Sequence, residues 1–202
     1  MVNVVGHELR TPVTTVRGLA ESLVEATDED TRRQLTDALV RSAVRLERLV
    51  DDLLLASGVF TASPVGDTVD VDLADAVRRA GWTGPVEGAA TARVRVDAVD
   101  RILAPIVDNA ERHGEPLEVR LEVHGPRVVV DVESGGPEIA DGDAALLCEP
   151  FFRGEAAVMT APGLGLGLAI ARTVARAEGG EVTAHARAGG GLVVRLELPC
   201  GS

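Results

Sequence analysis

The chain has 202 residues, 46% of them hydrophobic, enough for one large domain or two small ones with real cores. A net charge of −12, one Trp, three Phe and no Tyr exclude the basic footprint of a nucleic-acid or anionic-membrane partner and any broad stacking surface for bases. Cys148 and Cys200 are too few for a disulfide framework or metal site, so a reducing, cytoplasmic setting is expected; all twenty basic residues are Arg, which reads as coding bias.

The first predicted element is an amphipathic helix. Val2, Val5, Leu9, Val13, Val16, Ala20 and Leu23 draw one apolar stripe suited to a bundle. At about 100° per residue, His7 falls opposite Val16, which predicts an imidazole facing solvent, and Thr11 shares its face. Pro12 cannot donate to the Glu8 carbonyl, so a bend is expected just beyond the histidine. An exposed histidine taken alone reads as a solvated surface residue. The first residue lies less than two helical turns before His7, so a longer parent, one that could be membrane-anchored, is expected. No apolar run reaches the length of a span, and no membrane contact is expected of this chain itself.

Thr27, Asp28, Glu29 and Asp30 supply the cap and first-turn acids of a second helix. Its heptad runs Leu35, Leu39, Ser42, Leu46, Leu49, Leu53 and Ala56, and Ala38, Ala43, Val50 and Leu54 widen the face. Pairing with a second copy as a four-helix bundle is the economical solution; a monomeric hairpin docked on the downstream domain is the other. The hairpin is assigned to residues 1–58, a hinge to 59–67 and a second domain to 68–202.

In that second domain, Leu117, Val119, Leu121 and Val123 alternate with charged residues, and after His124-Gly125-Pro126 so do Val128, Val130 and Val132, predicting a hairpin. A second strand pair is predicted at 182–187 and 192–198, across Gly189-Gly190-Gly191. Helices are predicted at about 73–80, 98–113 and 164–177, giving an open sheet covered by helices on one face. Directly before the last of them, Gly163-Leu164-Gly165-Leu166-Gly167-Leu168 places glycines at a helix N-terminus, where backbone N–H groups face an anion. The run lacks the Lys of a phosphate-binding Walker loop.

His7-Glu8-Leu9-Arg10-Thr11-Pro12 closely resembles the phospho-acceptor box of two-component sensor histidine kinases. The resemblance extends over nearly the whole chain. Asp108-Asn109-Ala110 with Arg112 and His113 resembles the family's asparagine box, Ser134-Gly135-Gly136-Pro137 its first glycine box, Glu149-Pro150-Phe151-Phe152-Arg153 its phenylalanine box, and the Gly163, Gly165, Gly167 run its second glycine box. It implies a dimeric helical hairpin followed by a two-layer α/β sandwich that binds ATP with Mg²⁺. His7 would attack the γ-phosphate, Glu8 would orient or deprotonate the ring, and Thr11 would position water for dephosphorylating the partner. Asn109 would hold Mg²⁺ between the phosphates; Arg112, His113, Ser134, Gly136, Phe151 and Arg153 would complete the ATP site. The implied partners are a second copy and a response-regulator receiver domain, whose aspartate takes the phosphoryl group.

The segment from about Ala140 to Pro162 is the least constrained and would close over ATP. Two departures stand against the pattern. Pro105 replaces a common Asn and removes a helix hydrogen bond, costing about 3 kcal/mol if no kink relieves it. Ser134 replaces the Asp that reads the adenine amino group. Both favour a rival reading, a non-catalytic phosphotransfer or scaffold protein with a degenerate ATPase-like domain; Asn109, the second glycine box and the phenylalanine box favour the enzyme.

Overall fold

The computed structural model describes residues 2–56, 66–153 and 164–201, with the backbone alone for 2–8, 48, 56, 113 and 141. Hinge residues 59–65, Gly163 and the later part of the segment ending at Pro162 lie outside the described residues. The chain divides into two compact units, Met1–Leu54 and Leu55–Ser202.

The first unit is a helical hairpin of α1 (Val2–Glu25) and α2 (Glu29–Ala56). Asp28 caps α2, its Oδ1 accepting the Thr31 N–H at 2.8 Å, and that bond holds its carboxyl below the usual range. α1 runs without interruption through Pro12. Its apolar seam keeps Leu9, Val16, Ala20 and Leu23 of the expected stripe, all half-buried, and adds Pro12, Leu19 and, just past the helix, Ala26, whereas Val13 is 51% exposed. Apart from Ala20, these half-buried positions follow a three-four spacing, the seam of a coiled coil, and Val13 lies on its flank. On α2 the expected heptad from Leu35 to Leu53 is half-buried throughout, while Ala43 and Val50 remain exposed.

The second unit holds a five-stranded sheet in the order β2-β4-β5-β7-β6: β2 (Val86–Glu87), β4 (Glu115–His124), β5 (Arg127–Gly135), β6 (Glu181–Ala186) and β7 (Leu192–Pro199). Both expected strand pairs form as antiparallel ladders, and β2 joins β4 in parallel. A small sheet of β1 (Val69–Asp72) and β3 (Thr91–Val94) stands apart from the main one, tied to its end by an Ala92–Cys200 bridge. Helices α3 (Leu73–Arg79), α4 (Val96–His113), α5 (Asp141–Leu146) and α6 (Gly167–Ala177) complete the unit.

The sheet has the two-faced character its alternation predicts. Val119, Leu121, Val128, Val130, Val132, Val194, Leu196 and Leu198 are buried, as are Ile102, Leu103, Ile106 and Val107 of α4 and Ile170, Ala171 and Val174 of α6. Each fully buried Leu or Ile contributes about 1.5–3 kcal/mol through apolar area removed from water. The intervening residues carry charge: Arg195 grips Asp131 with two bonds of 2.8 and 2.7 Å, and Glu133 pairs with Arg120 at 3.5 Å and Arg187 at 3.3 Å. α4 and α6 run antiparallel. Pro105 of α4 faces Gly167 at the start of α6, and Arg95, which precedes α4, forms a buried ion pair with Glu178, which ends α6.

Candidate functional site

The glycine run owes its shape to its leucines. Leu164, Leu166 and Leu168 are all buried, which pins the backbone between them and leaves Gly165 and Gly167 on the other side. Gly165 has φ +66°, and a Cβ there would stand 2.5 Å from the Phe152 carbonyl oxygen, so no larger residue fits. The left-handed turn also corrects the expected helix start: α6 begins at Gly167, three residues after Leu164. Its N-cap residue, Leu166, offers no side-chain acceptor, so the first-turn N–H groups are available to an anion.

The phenylalanine box closes against this turn. Phe151 has φ +65°, and its N–H donates to the Gly165 carbonyl at 3.1 Å; the Phe152 N–H donates to the Glu149 carbonyl at 3.3 Å. Phe151, Phe152 and Arg153 are half-buried.

α4 brings the asparagine box to the same end of the helical layer. Asn109 is half-buried. Arg112 is exposed, and its Nε lies 2.5 Å from Asp108 Oδ1, so a phosphate would compete with a carboxylate of the same helix. The His113 side chain lies outside the described atoms. Pro105 does not break α4, and a Cβ placed on Gly167 would sit 3.4 Å from its ring, so the proline is a packing residue between α4 and α6.

Ser134, the last residue but one of β5, lies on the face toward the helices, as alternation predicts, and is 5% exposed. Its hydroxyl donates to the Leu192 carbonyl at 3.5 Å, and it abuts Gly114, where a Cβ would meet the Ser134 Cβ at 2.7 Å. The first glycine box continues through Gly136 and is held by the β6–β7 turn, with the Gly191 N–H donating to the Pro137 carbonyl at 3.0 Å.

Among the described residues no three His, Cys, Asp or Glu side chains converge on a metal position. Mg²⁺ would need no such cluster: it keeps most of its waters and takes phosphate oxygens with one or two protein oxygens, a role open to a neutral amide such as that of Asn109. In α1, His7 and Glu8 lie on helical backbone with side chains outside the described atoms. Thr11 is exposed one turn later, and its carbonyl accepts the Thr15 hydroxyl at 3.0 Å. The sequence reading did not single out Arg172, which reaches both Glu149 of the phenylalanine box and Glu181 of β6; nothing in the local pattern sets it apart from Arg176 on the same helix.

Residues 94–202 match the histidine kinase-, DNA gyrase B- and HSP90-like ATPase family, and residues 1–57 match the histidine kinase A phospho-acceptor domain. The sensor protein SphS of Synechococcus elongatus is 37% identical over 98% of this chain, which spans 54% of that protein. The histidine kinase AdeS of Acinetobacter baumannii has the same fold, with a TM-score of 0.66 at 21% identity over 97% of this chain and 98% of that one. The histidine kinase ThkA, solved in complex with the response regulator protein TrrA, aligns with all of this chain and 61% of its own, with a TM-score of 0.62 at 22% identity. A phospho-acceptor hairpin followed by an ATPase domain whose glycine turn, asparagine helix and phenylalanine box meet at one end of the helical layer is the catalytic core of a sensor histidine kinase, and the chain belongs to that family.

Proposed function

We propose that this chain phosphorylates its own His7 from Mg-ATP and passes the phosphoryl group to an aspartate of a response-regulator receiver domain. The observation that carries this reading is the α6 N-terminus, which presents first-turn N–H groups with no side-chain cap beside a glycine turn that admits no side chain. Those groups would hold the phosphates, with Asn109 and Arg112 alongside. Mg²⁺, when bound, neutralises charge on the β- and γ-phosphates. One nitrogen of His7 forms the bond to the γ-phosphorus as its bond to the bridging oxygen breaks and ADP leaves. Glu8 orients the ring and takes the proton from the other nitrogen.

The departures that favoured a non-catalytic scaffold do not dismantle the site. α4 is continuous through Pro105, and Ser134 presents a polar hydroxyl on the face toward the helices. The residues divide into an acceptor hairpin, 1–58, a hinge, 59–67, and an ATP domain, 68–202. Two copies would pair through the hairpin, and the receiver would dock on that bundle; that ThkA was solved in complex with the response regulator protein TrrA supports a partner of this kind. None of the described helices is long and apolar enough to cross a membrane.

Incubation with Mg-ATP tests the reading. The expected product is an acid-labile, base-stable phosphoramidate that disappears in His7→Gln and in Asn109→Ala; label that persists in His7→Gln refutes the assignment. Thr11→Ala should depress dephosphorylation of the receiver far more than autophosphorylation, and equal loss of both would give Thr11 a structural role instead.

A further inference from the structure

Arg172 stands five residues into α6 and reaches in two directions. Its Nη1 donates to Glu149 Oε1 at 2.9 Å and its Nε to Glu181 Oε1 at 2.9 Å. Glu181 opens β6 and also accepts from Arg176 Nε at 2.9 Å and from the Val182 N–H at 3.1 Å. One guanidinium therefore joins the helix of the glycine turn, the edge strand of the sheet and the segment that leads into the phenylalanine box. Burial works against charge on both partners, yet the bonds from Arg172 and Arg176 leave the Glu181 carboxyl below its usual range, and the bond to Glu181 leaves Arg172 above its own. The Arg172–Glu181 pair is thus ionised at neutral pH.

What Glu149 leads into requires such an anchor. Phe151 sits at φ +65°, a conformation that a bulky L-residue keeps only when its surroundings over-determine it. Among the described residues, the bonds that hold this turn include the Phe151 N–H to the Gly165 carbonyl, the Phe152 N–H to the Glu149 carbonyl, the Glu149 N–H to the Leu146 carbonyl at 2.8 Å, and the Arg172–Glu149 bond. The last of these is a side-chain tie from this turn to α6 itself.

We propose that Arg172 is a positioning residue for nucleotide binding. Through Glu149 it fixes the Phe151–Arg153 turn against Gly165 and so shapes the wall beside the α6 N-terminus, without touching the nucleotide. The proposal rests on the reading that this N-terminus takes the phosphates of ATP.

The test is autophosphorylation of the full chain at varied Mg-ATP, read as separate KM and kcat. Glu149→Gln and Arg172→Gln should each raise KM about five-fold, the effect of about 1 kcal/mol expected for a partly exposed ion pair, with kcat at saturation little changed. Because both act through one bond, the double variant should be no worse in KM than Arg172→Gln alone. Should Arg172→Gln fail to fold, Glu149→Gln still decides, since its carboxylate is 54% exposed and the amide keeps its shape. Unchanged KM in Glu149→Gln, multiplying losses in the double variant, or a fall in kcat at constant KM would each overturn the proposal while wild type labels normally. A wild type that neither binds nor uses Mg-ATP would overturn the parent reading and this one with it.

Discussion

Ser134 is a buried neutral residue where a carboxylate would read the adenine amino group. Its hydroxyl is donated weakly to Leu192, at 3.5 Å, which leaves its lone pairs to accept from a base without the charge-assisted part of the bond. The difference is worth about 1 kcal/mol, or about five-fold in affinity, so binding should be weak and GTP should approach ATP. Calorimetry on Ser134→Asp should show ATP tightened several-fold and GTP unchanged or weaker; an unaltered ATP-to-GTP ratio would remove the base from this position. Cys148 supports a second prediction. Burial pushes its thiol up from 9.0 to about 11, so the unfolded chain loses this proton first and stability present below pH 9 is lost as pH rises toward 11. That shift corresponds to about 2–3 kcal/mol. With no Lys and no Tyr in the sequence, few other groups titrate in that window. Urea denaturation at pH 8 and pH 10.5 under reducing conditions should therefore show a fall in stability that Cys148→Ala largely removes. An equal fall in the variant would assign the effect elsewhere.

The helices α4 and α6 are joined at one end by Pro105 against Gly167 and at the other by Arg95 and Glu178, whose side chains are 8% and 3% exposed. Glu178 also accepts the Arg95 N–H at 3.2 Å, so an acid sits at the N-terminus of α4 and an arginine at the C-terminus of α6, each favourable to its helix dipole. Removing one partner strands a buried charge. Glu178→Gln should cost about 3–5 kcal/mol in urea denaturation, whereas Arg95→Leu with Glu178→Leu should recover most of that loss. A double variant no more stable than the single one would show that the pair itself stabilises the unit.

Across the molecule, the proposed assembly rests on the hairpin, where Val13, Val24, Val40, Val44 and Val50 are 41% to 87% exposed in the single chain. Pairing two copies would cover such a surface, and light scattering should give about twice 21.0 kDa at micromolar concentration. Leu46→Asp, which places a charge in the seam, should yield monomer or an unfolded hairpin; a wild type that stays monomeric at high concentration would contradict the bundle. The sequence by itself determined the heptads of α2, both strand pairs, the covered face of the sheet and the glycine turn, because each is a local period or a short run set by backbone geometry. Spacing alone placed Val13 in the seam and the start of α6 at Leu164; packing moved the seam to Pro12 and Leu19, and the positive φ of Gly165 delayed the helix. Only the tertiary structure decided which charges meet. Arg95 and Glu178 are 83 residues apart and Arg172 and Glu149 are 23, and no local pattern distinguishes a charge that finds a distant partner from one left in solvent.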